Sequence, residues 1–198
     1  MADDAWTERG DPAMLRETVR RAQSGDVMAV DALLDIVTPY VRRLCGPIAL
    51  QDAADATQET LIVMLRHLRQ LREPAALFGW VRVIAVREAV RVARQSARSV
   101  PVEMVELPAP GDPSLASDVR DVLDRLSPEH RAVLMLRDLE GLDEHTASEH
   151  LGVPVGTVRS RLFRARRSFR DAWRAQPGGD AGFRRHHPEG AGDDLADR

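Results

Sequence analysis

The stretch from Leu151 to Arg174, LGVPVGTVRSRLFRARRSFRDAWR, limits the possible folds of this chain more than any other segment. At 100° per residue, Val158, Leu162, Ala165, Phe169 and Trp173 fall in one narrow sector, while Arg159, Arg166, Arg167 and Arg170 gather on another face. Such a segment predicts a helix anchored along a single apolar stripe. Seven arginines stand against one acid, Asp171, so the helix carries about +6 within a chain of net charge −3. A rod with guanidinium groups on its outer surface suits a polyanion running past it.

The residues just upstream predict its partner. LDEHTASEHL, Leu142 to Leu151, reads as a short helix, Gly152 as a turn residue free to take positive φ, and Pro154 as a first-turn residue. Short helix, glycine turn and longer basic helix together are the grammar of a helix-turn-helix, whose second helix enters the DNA major groove. Gly156 allows close approach of a phosphate, and Thr157, Arg159 and Ser160 are placed to meet phosphates or base edges. The competing reading is an amphipathic helix with a solvated arginine face. It leaves the ordered turn, proline and glycine without a purpose.

Strand signals are scarce and helical periodicity is general, so the expected fold class is all-α. It comprises two small helical domains joined by a flexible linker. The first spans 14–98, with helices over Met14 to Gln23, Val27 to Val37, Gln51 to Leu71 and Leu77 to Gln95. Turns are expected at Ser24-Gly25-Asp26, at Pro39, at Cys45-Gly46-Pro47 and at Arg72-Glu73-Pro74. Residues 99–117 collect prolines without period and read as linker. The second domain spans 118–175, where Ser127 and Pro128 mark a helix start, and 176–198 read as a disordered tail. All 28 basic residues are arginine, a bias that fits GC-rich coding. Cys45, the single cysteine, excludes an internal disulfide and is expected to be a buried structural thiol. No apolar run approaches a membrane span and MADDAWTERGD does not read as a signal peptide, so a cytoplasmic protein is expected. No metal or other cofactor is expected, since His186-His187 has no further ligand pattern.

The first domain offers two surfaces. Asp52, Asp55 and Glu59, at i, i+3 and i+7 with Gln58 beside them, make a carboxylate stripe. Acid–base or metal chemistry would need a convergent site that the sequence does not supply, so docking to a basic partner is the better reading, with a solvated face as the alternative. Further on, Trp80, Arg87, Arg91 and Arg94 share a face at i, i+7, i+11 and i+14. An aromatic leading a row of arginines fits unpaired bases and phosphates, although Trp80 alone is equally consistent with core packing.

Several of these segments resemble the bacterial RNA polymerase sigma factors of the sigma-70 family, in particular the extracytoplasmic-function (ECF) group. DAADATQETLIVMLRHL (from Asp52) is similar to its region 2.2 and FGWVRVIA (from Phe78) to regions 2.3–2.4. LSPEHRAVLMLRDLEGL (from Leu126) resembles region 4.1 and LGVPVGTVRSRLFRARRSFR region 4.2. The resemblance implies a non-enzymatic factor that lends promoter specificity to core polymerase. Asp52, Asp55, Gln58 and Glu59 would contact the β′ clamp helices, and 118–142 the β flap. Trp80, Arg87, Arg91 and Arg94 would engage the −10 element. Thr157, Arg159, Ser160, Arg161, Arg164 and Arg167 would bind the −35 duplex, and an anti-sigma factor is a further expected partner. Arg87 and Arg91 depart from the family's Asn and Asp, and His150 replaces an aliphatic residue and is expected to be partly exposed. The other class of function considered is a LuxR-type regulator, which shares the helix-turn-helix but leaves the acidic stripe and the Trp–arginine helix unexplained.

Overall fold

The computed structural model describes residues 12–97 and 113–176. Among these the chain is helical throughout: α1 (Pro12–Gln23), α2 (Val27–Ala49), α3 (Ala53–His67), α4 (Leu77–Ser96), α5 (Pro113–Asp124), α6 (Pro128–Leu134), α7 (Glu144–Leu151) and α8 (Val155–Arg174). The expectations for residues 98–112, for the tail from 177 onward and for the histidine pair at 186–187 lie outside the described residues.

α1 stops at the expected turn, where Gly25 takes φ +94° and Asp26 caps α2 by accepting from the amides of Met28 and Ala29. The Arg21 guanidinium, 2.6 Å from the Asp26 carboxylate, holds that carboxyl below its usual range. The expected breaks at Pro39 and at Cys45-Gly46-Pro47 are absent, because α2 continues through both prolines. Val37, Tyr40, Val41, Leu44, Cys45 and Ile48 carry one buried face across them. Each interior proline costs about 3 kcal/mol, whereas each of the larger buried side chains returns about 1.5–3 kcal/mol, so burial prevails.

The predicted Gln51–Leu71 helix is shorter and tighter than expected, with 3₁₀ turns at Leu50–Asp52 and Leu68–Gln70 on either side of α3. Gln23 Nε2 donates to the carbonyls of Leu68 (2.9 Å) and Leu71 (2.7 Å), partnering acceptors that a helix end leaves open. Glu73 and Pro74 then start the turn into α4, with the Glu73 carboxylate accepting from the Ala75 amide. Leu33, Tyr40, Leu44 and Ile48 of α2 meet Met64 of α3 and Leu77, Val81, Ala85 and Ala89 of α4 in one core. Tyr40 and Phe78 pack edge to face at 5.2 Å. Cys45 is fully buried beside Thr60 and the Ala85 carbonyl, and burial pushes its thiol up to about 11, which fits a structural role.

The second unit begins earlier than the sequence suggested. α5 starts at Pro113, inside the stretch read as linker, because a proline at the first helical position breaks nothing. Ser127 and Pro128 open α6 as expected, with Ser127 Oγ accepting from the His130 amide. A π turn, Met135–Leu139, then leads to Gly141 at φ +67°. Asp143 caps α7, accepting from the amides of His145 (2.8 Å) and Thr146 (2.9 Å) and from the Thr146 hydroxyl (2.7 Å). Gly152 closes α7 at φ +64°, the left-handed conformation its position in the motif predicts. Ala132, Val133, Leu136, Ala147, Val158, Leu162 and Ala165 line this unit's interior and join the first unit's core without interruption.

Two outcomes follow for stability. Gly152→Ala is expected to cost about 1–2 kcal/mol through backbone strain, since the added Cβ would meet only Arg87 Nη2 at 3.9 Å. Urea unfolding should show a lower midpoint at unchanged slope. Asp143 is held down to about 2 by hydrogen bonds from Thr146 and from the amide of His145. Its folded value lies below its ordinary 3.8, so the cap stabilises above about pH 4 and is lost as pH falls through about 2. The Tm difference between wild type and Asp143→Ala should therefore be full at neutral pH and close across that window.

Candidate nucleic-acid interface

The recognition helix α8 is seated by its stripe: Val158, Leu162 and Ala165 are buried, and Phe169 and Trp173 stack on one another at 6.2 Å. Its other faces remain outside. Ser160 and Arg164 are exposed, Thr157 and Arg161 half-buried, and the Arg159 and Arg167 side chains 68% and 71% exposed. The six residues expected to read DNA thus lie along one accessible helix. Two arginines tie it to the body. Arg166 grips Asp138 through two nitrogens (2.5 and 3.2 Å), which raises its pKa, and Arg159 meets Glu144 of α7 at 2.5 Å. Exposed pairs of this kind are worth at most about 1 kcal/mol, so a phosphate can replace the carboxylate at Arg159.

Phe163, 67% exposed on the same helix, escaped the reading from periodicity. The signal was its place off the apolar stripe, between Leu162 and Arg164. His150 overturns the expectation of partial exposure, being only 8% exposed. Its Nδ1 lies 2.7 Å from the Thr146 carbonyl. Burial, with the charges of Arg82 and Arg87 adding to it, holds the imidazole below its usual range and so in the neutral form. The neutral ring is accommodated in this seat with α7 itself supplying the partner for one ring nitrogen.

On α3, Asp55, Gln58 and Glu59 are exposed together. Asp52 is half-buried at the start of α3, and its charge acts on Arg131 of α6, so it stands apart from the other three. Gln58 lines a groove of about 1060 Å³ whose far wall is α5, through Val119 and Leu123. On α4, Trp80 is half-buried against the core. Of the exposed arginines after it, Arg87 and Arg94 reach the second unit and Arg91 stays within the first. Arg87 donates to the carbonyls of His150 and Glu149, both at 3.1 Å, where α7 ends. Arg91 bonds Glu88 (2.7 Å) and Glu59 (3.3 Å), and Arg94 bonds Glu129 at the start of α6.

The seam between the units contains residues that sequence reasoning did not single out. Glu140, its side chain fully buried, takes Arg43 Nη2 at 2.6 Å and lies 3.6 Å from Arg82 Nη1. Arg131 of α6, 7% exposed, donates to the Ile48 carbonyl of α2 at 2.7 Å and to the Leu126 carbonyl at 2.9 Å. A charged residue at a core position, as Arg82 is between Val81 and Ala85, was the available sign.

The chain matches the family models for Sigma-70 region 2 over residues 29–99 and Sigma-70, region 4 over residues 116–169. It is 35% identical over 132 residues to the ECF RNA polymerase sigma factor SigE of Mycolicibacterium smegmatis, covering 61% of this chain and 51% of that protein. The chain therefore spans about half the length of that relative. It is 31% identical over 179 residues to the RNA polymerase sigma-H factor of Pseudomonas aeruginosa, covering 78% of this chain and 91% of that protein. Its fold is similar to that of the sigma factor RpoE in a co-crystal structure with the anti-sigma factor NepR from Bartonella quintana. There the TM-score is 0.60 at 24% identity, over 74% of this chain and 98% of that one. With region 2 and region 4 both present and in this order, the chain belongs to the sigma-70 family of RNA polymerase sigma factors, in its ECF group.

Proposed function

We propose that this chain directs transcription initiation by binding core RNA polymerase and bringing it to promoters with −35 and −10 elements, without covalent chemistry of its own. The observation that carries the reading is the pairing of an accessible arginine-rich recognition helix with an exposed acidic helix in one chain. A LuxR-type regulator would not need the second of these. Thr157, Arg159, Ser160, Arg161, Arg164 and Arg167 contact the −35 duplex. Phe163, exposed among them, suits apolar contact with a thymine methyl group. Asp52, Asp55, Gln58 and Glu59 dock on the β′ clamp, with Asp52 at the half-buried edge of the patch, and residues 118–142 approach the β flap. Trp80, Arg87, Arg91 and Arg94 take the −10 element. The functional units are 14–98 and 118–175, with α5 reaching back into 99–117 and 176–198 as a tail. Binding to an anti-sigma factor follows the precedent of the Bartonella protein. None of the described helices is long and apolar enough to cross a membrane, and a cytoplasmic location follows from work on DNA.

Two experiments test these assignments. The double substitution Asp55→Lys with Glu59→Lys should weaken association with core polymerase by about tenfold or more while leaving helicity unchanged, since both side chains are exposed. Normal association of the folded double variant would remove the acidic helix from the docking surface. The core polymerase–chain complex carrying Arg159→Ala with Arg167→Ala should bind promoter duplex less tightly. Its log K against log salt plot should flatten by up to about one unit per lost phosphate contact. An unchanged slope would mean that α8 does not lie on DNA.

A further inference from the structure

A cavity of about 520 Å³ opens where α4 of the first unit faces the helix-turn-helix of the second. Four arginines line it: Arg87, Arg91 and Arg94 from α4 and Arg161 from α8. Val90 of α4, with Leu151 and Val153 at the turn between α7 and α8, gives it an apolar wall. The charges are unevenly matched. Arg94 holds Glu129, the carboxylate in the lining, and Arg91 holds Glu88 and Glu59. Arg87 donates to the carbonyls that end α7, whose partial charges offset a full one incompletely. Arg161 is half-buried and has no hydrogen-bond or ion-pair partner among the described residues. A guanidinium drawn partly out of water without an acceptor is costly. Two cations from opposite units thus line one cavity without a counter-anion.

We propose that this cavity binds a small molecule carrying adjacent phosphates on an apolar body, of the class of the nucleoside di- and triphosphates, with Arg87 and Arg161 taking the phosphates. Its volume lies in the range of small-molecule sites, roughly 300–1,000 Å³. The planar fork of a guanidinium takes phosphate oxygens in pairs, and adjacent phosphates let one ligand serve arginines on both walls. A single phosphate would leave the wall of Val90, Leu151 and Val153 wet. Nucleic acid meets the same arginines from outside, whereas a concavity with an apolar wall selects a small molecule. The binding site itself does not depend on the sigma-factor reading, but its consequence does. On that reading the ligand covers three arginines of the −10 row and one of the −35 set, and so competes with promoter DNA at both.

Isothermal titration calorimetry on the free full-length chain, at physiological salt, tests the site with ATP, inorganic tripolyphosphate and orthophosphate. ATP should bind at one site per chain, about tenfold more tightly than tripolyphosphate because its nucleoside covers the apolar wall, and orthophosphate should bind more weakly than either. Arg87→Gln with Arg161→Gln should weaken ATP binding by about tenfold or more at unchanged far-UV helicity. Arg170→Gln with Arg174→Gln removes the same charge from exposed positions outside the cavity and should leave the affinity within about twofold. Arg161→Gln alone gives up no bond within the described chain, so it decides the outcome where the first double variant loses helicity. Absence of ATP binding, tripolyphosphate binding as tight as that of ATP, or an equal loss in the two double variants would each overturn the proposal. No polymerase or promoter enters the titration, so its failure leaves the sigma-factor reading standing. That reading fails instead where the wild type never binds core enzyme.

Discussion

Glu140 is the group on which the relation between the two halves turns. A carboxylate taken wholly out of water is tolerable only where cations meet it, and here two arginines from different helices of the other unit do so. Removing one partner of such a cluster typically costs about 3–5 kcal/mol, while replacing all of it by apolar groups is often neutral. The cluster therefore adds little to the depth of the native state and much to its definition. An apolar seam would accept many sliding arrangements of α2 and α4 against α6, whereas the ionic one accepts those that bring Arg43, Arg82 and Glu140 together.

The exclusive use of arginine matters for the same seam. A guanidinium has five donors in a rigid fork and can serve two carbonyls at once, as Arg87 does at the end of α7 and Arg131 does between Ile48 and Leu126. A lysine ammonium, more strongly hydrated, would lose more on burial at Arg82 or Arg131. The same fork recognises phosphate, so one residue type meets two kinds of acceptor: backbone carbonyls within the chain and oxyanions outside it. Burial decides between these roles, with Arg82 and Arg131 inside and Arg159, Arg164 and Arg167 outside.

Local features were legible in the sequence wherever one residue's geometry decides the outcome. Ser127, Gly152, Glu73-Pro74 and the stripe Val158, Leu162 and Ala165 each took the expected position, because capping, positive φ and helical period act within a few residues. Pro39 and Pro47 misled because the burial that carries α2 through them comes from α3 and α4, which local pattern does not contain. Pro113 misled in the opposite way, as a helix start counted as linker composition. His150 was misjudged because its exposure depends on the fit of α7 against α4, with Arg87 arriving from a distant part of the chain. The charged face of α8 was visible from its periodicity. The destination of the arginines on α4 was not, since sequence gives a face and only packing gives its neighbour.

The two surfaces proposed to meet DNA consequently differ in what nucleic acid must displace. On α8 a phosphate competes with water and with exposed pairs such as Arg159–Glu144, each worth little in high dielectric. On α4 it competes with the carbonyls that end α7 and with the carboxylates of Glu129, Glu88 and Glu59, all held by exposed arginines. Binding at the first surface can therefore be gradual and salt-dependent, set by individual phosphates. Binding at the second displaces more, because Arg87 must leave two backbone carbonyls, whereas Arg91 exchanges only carboxylates of its own unit.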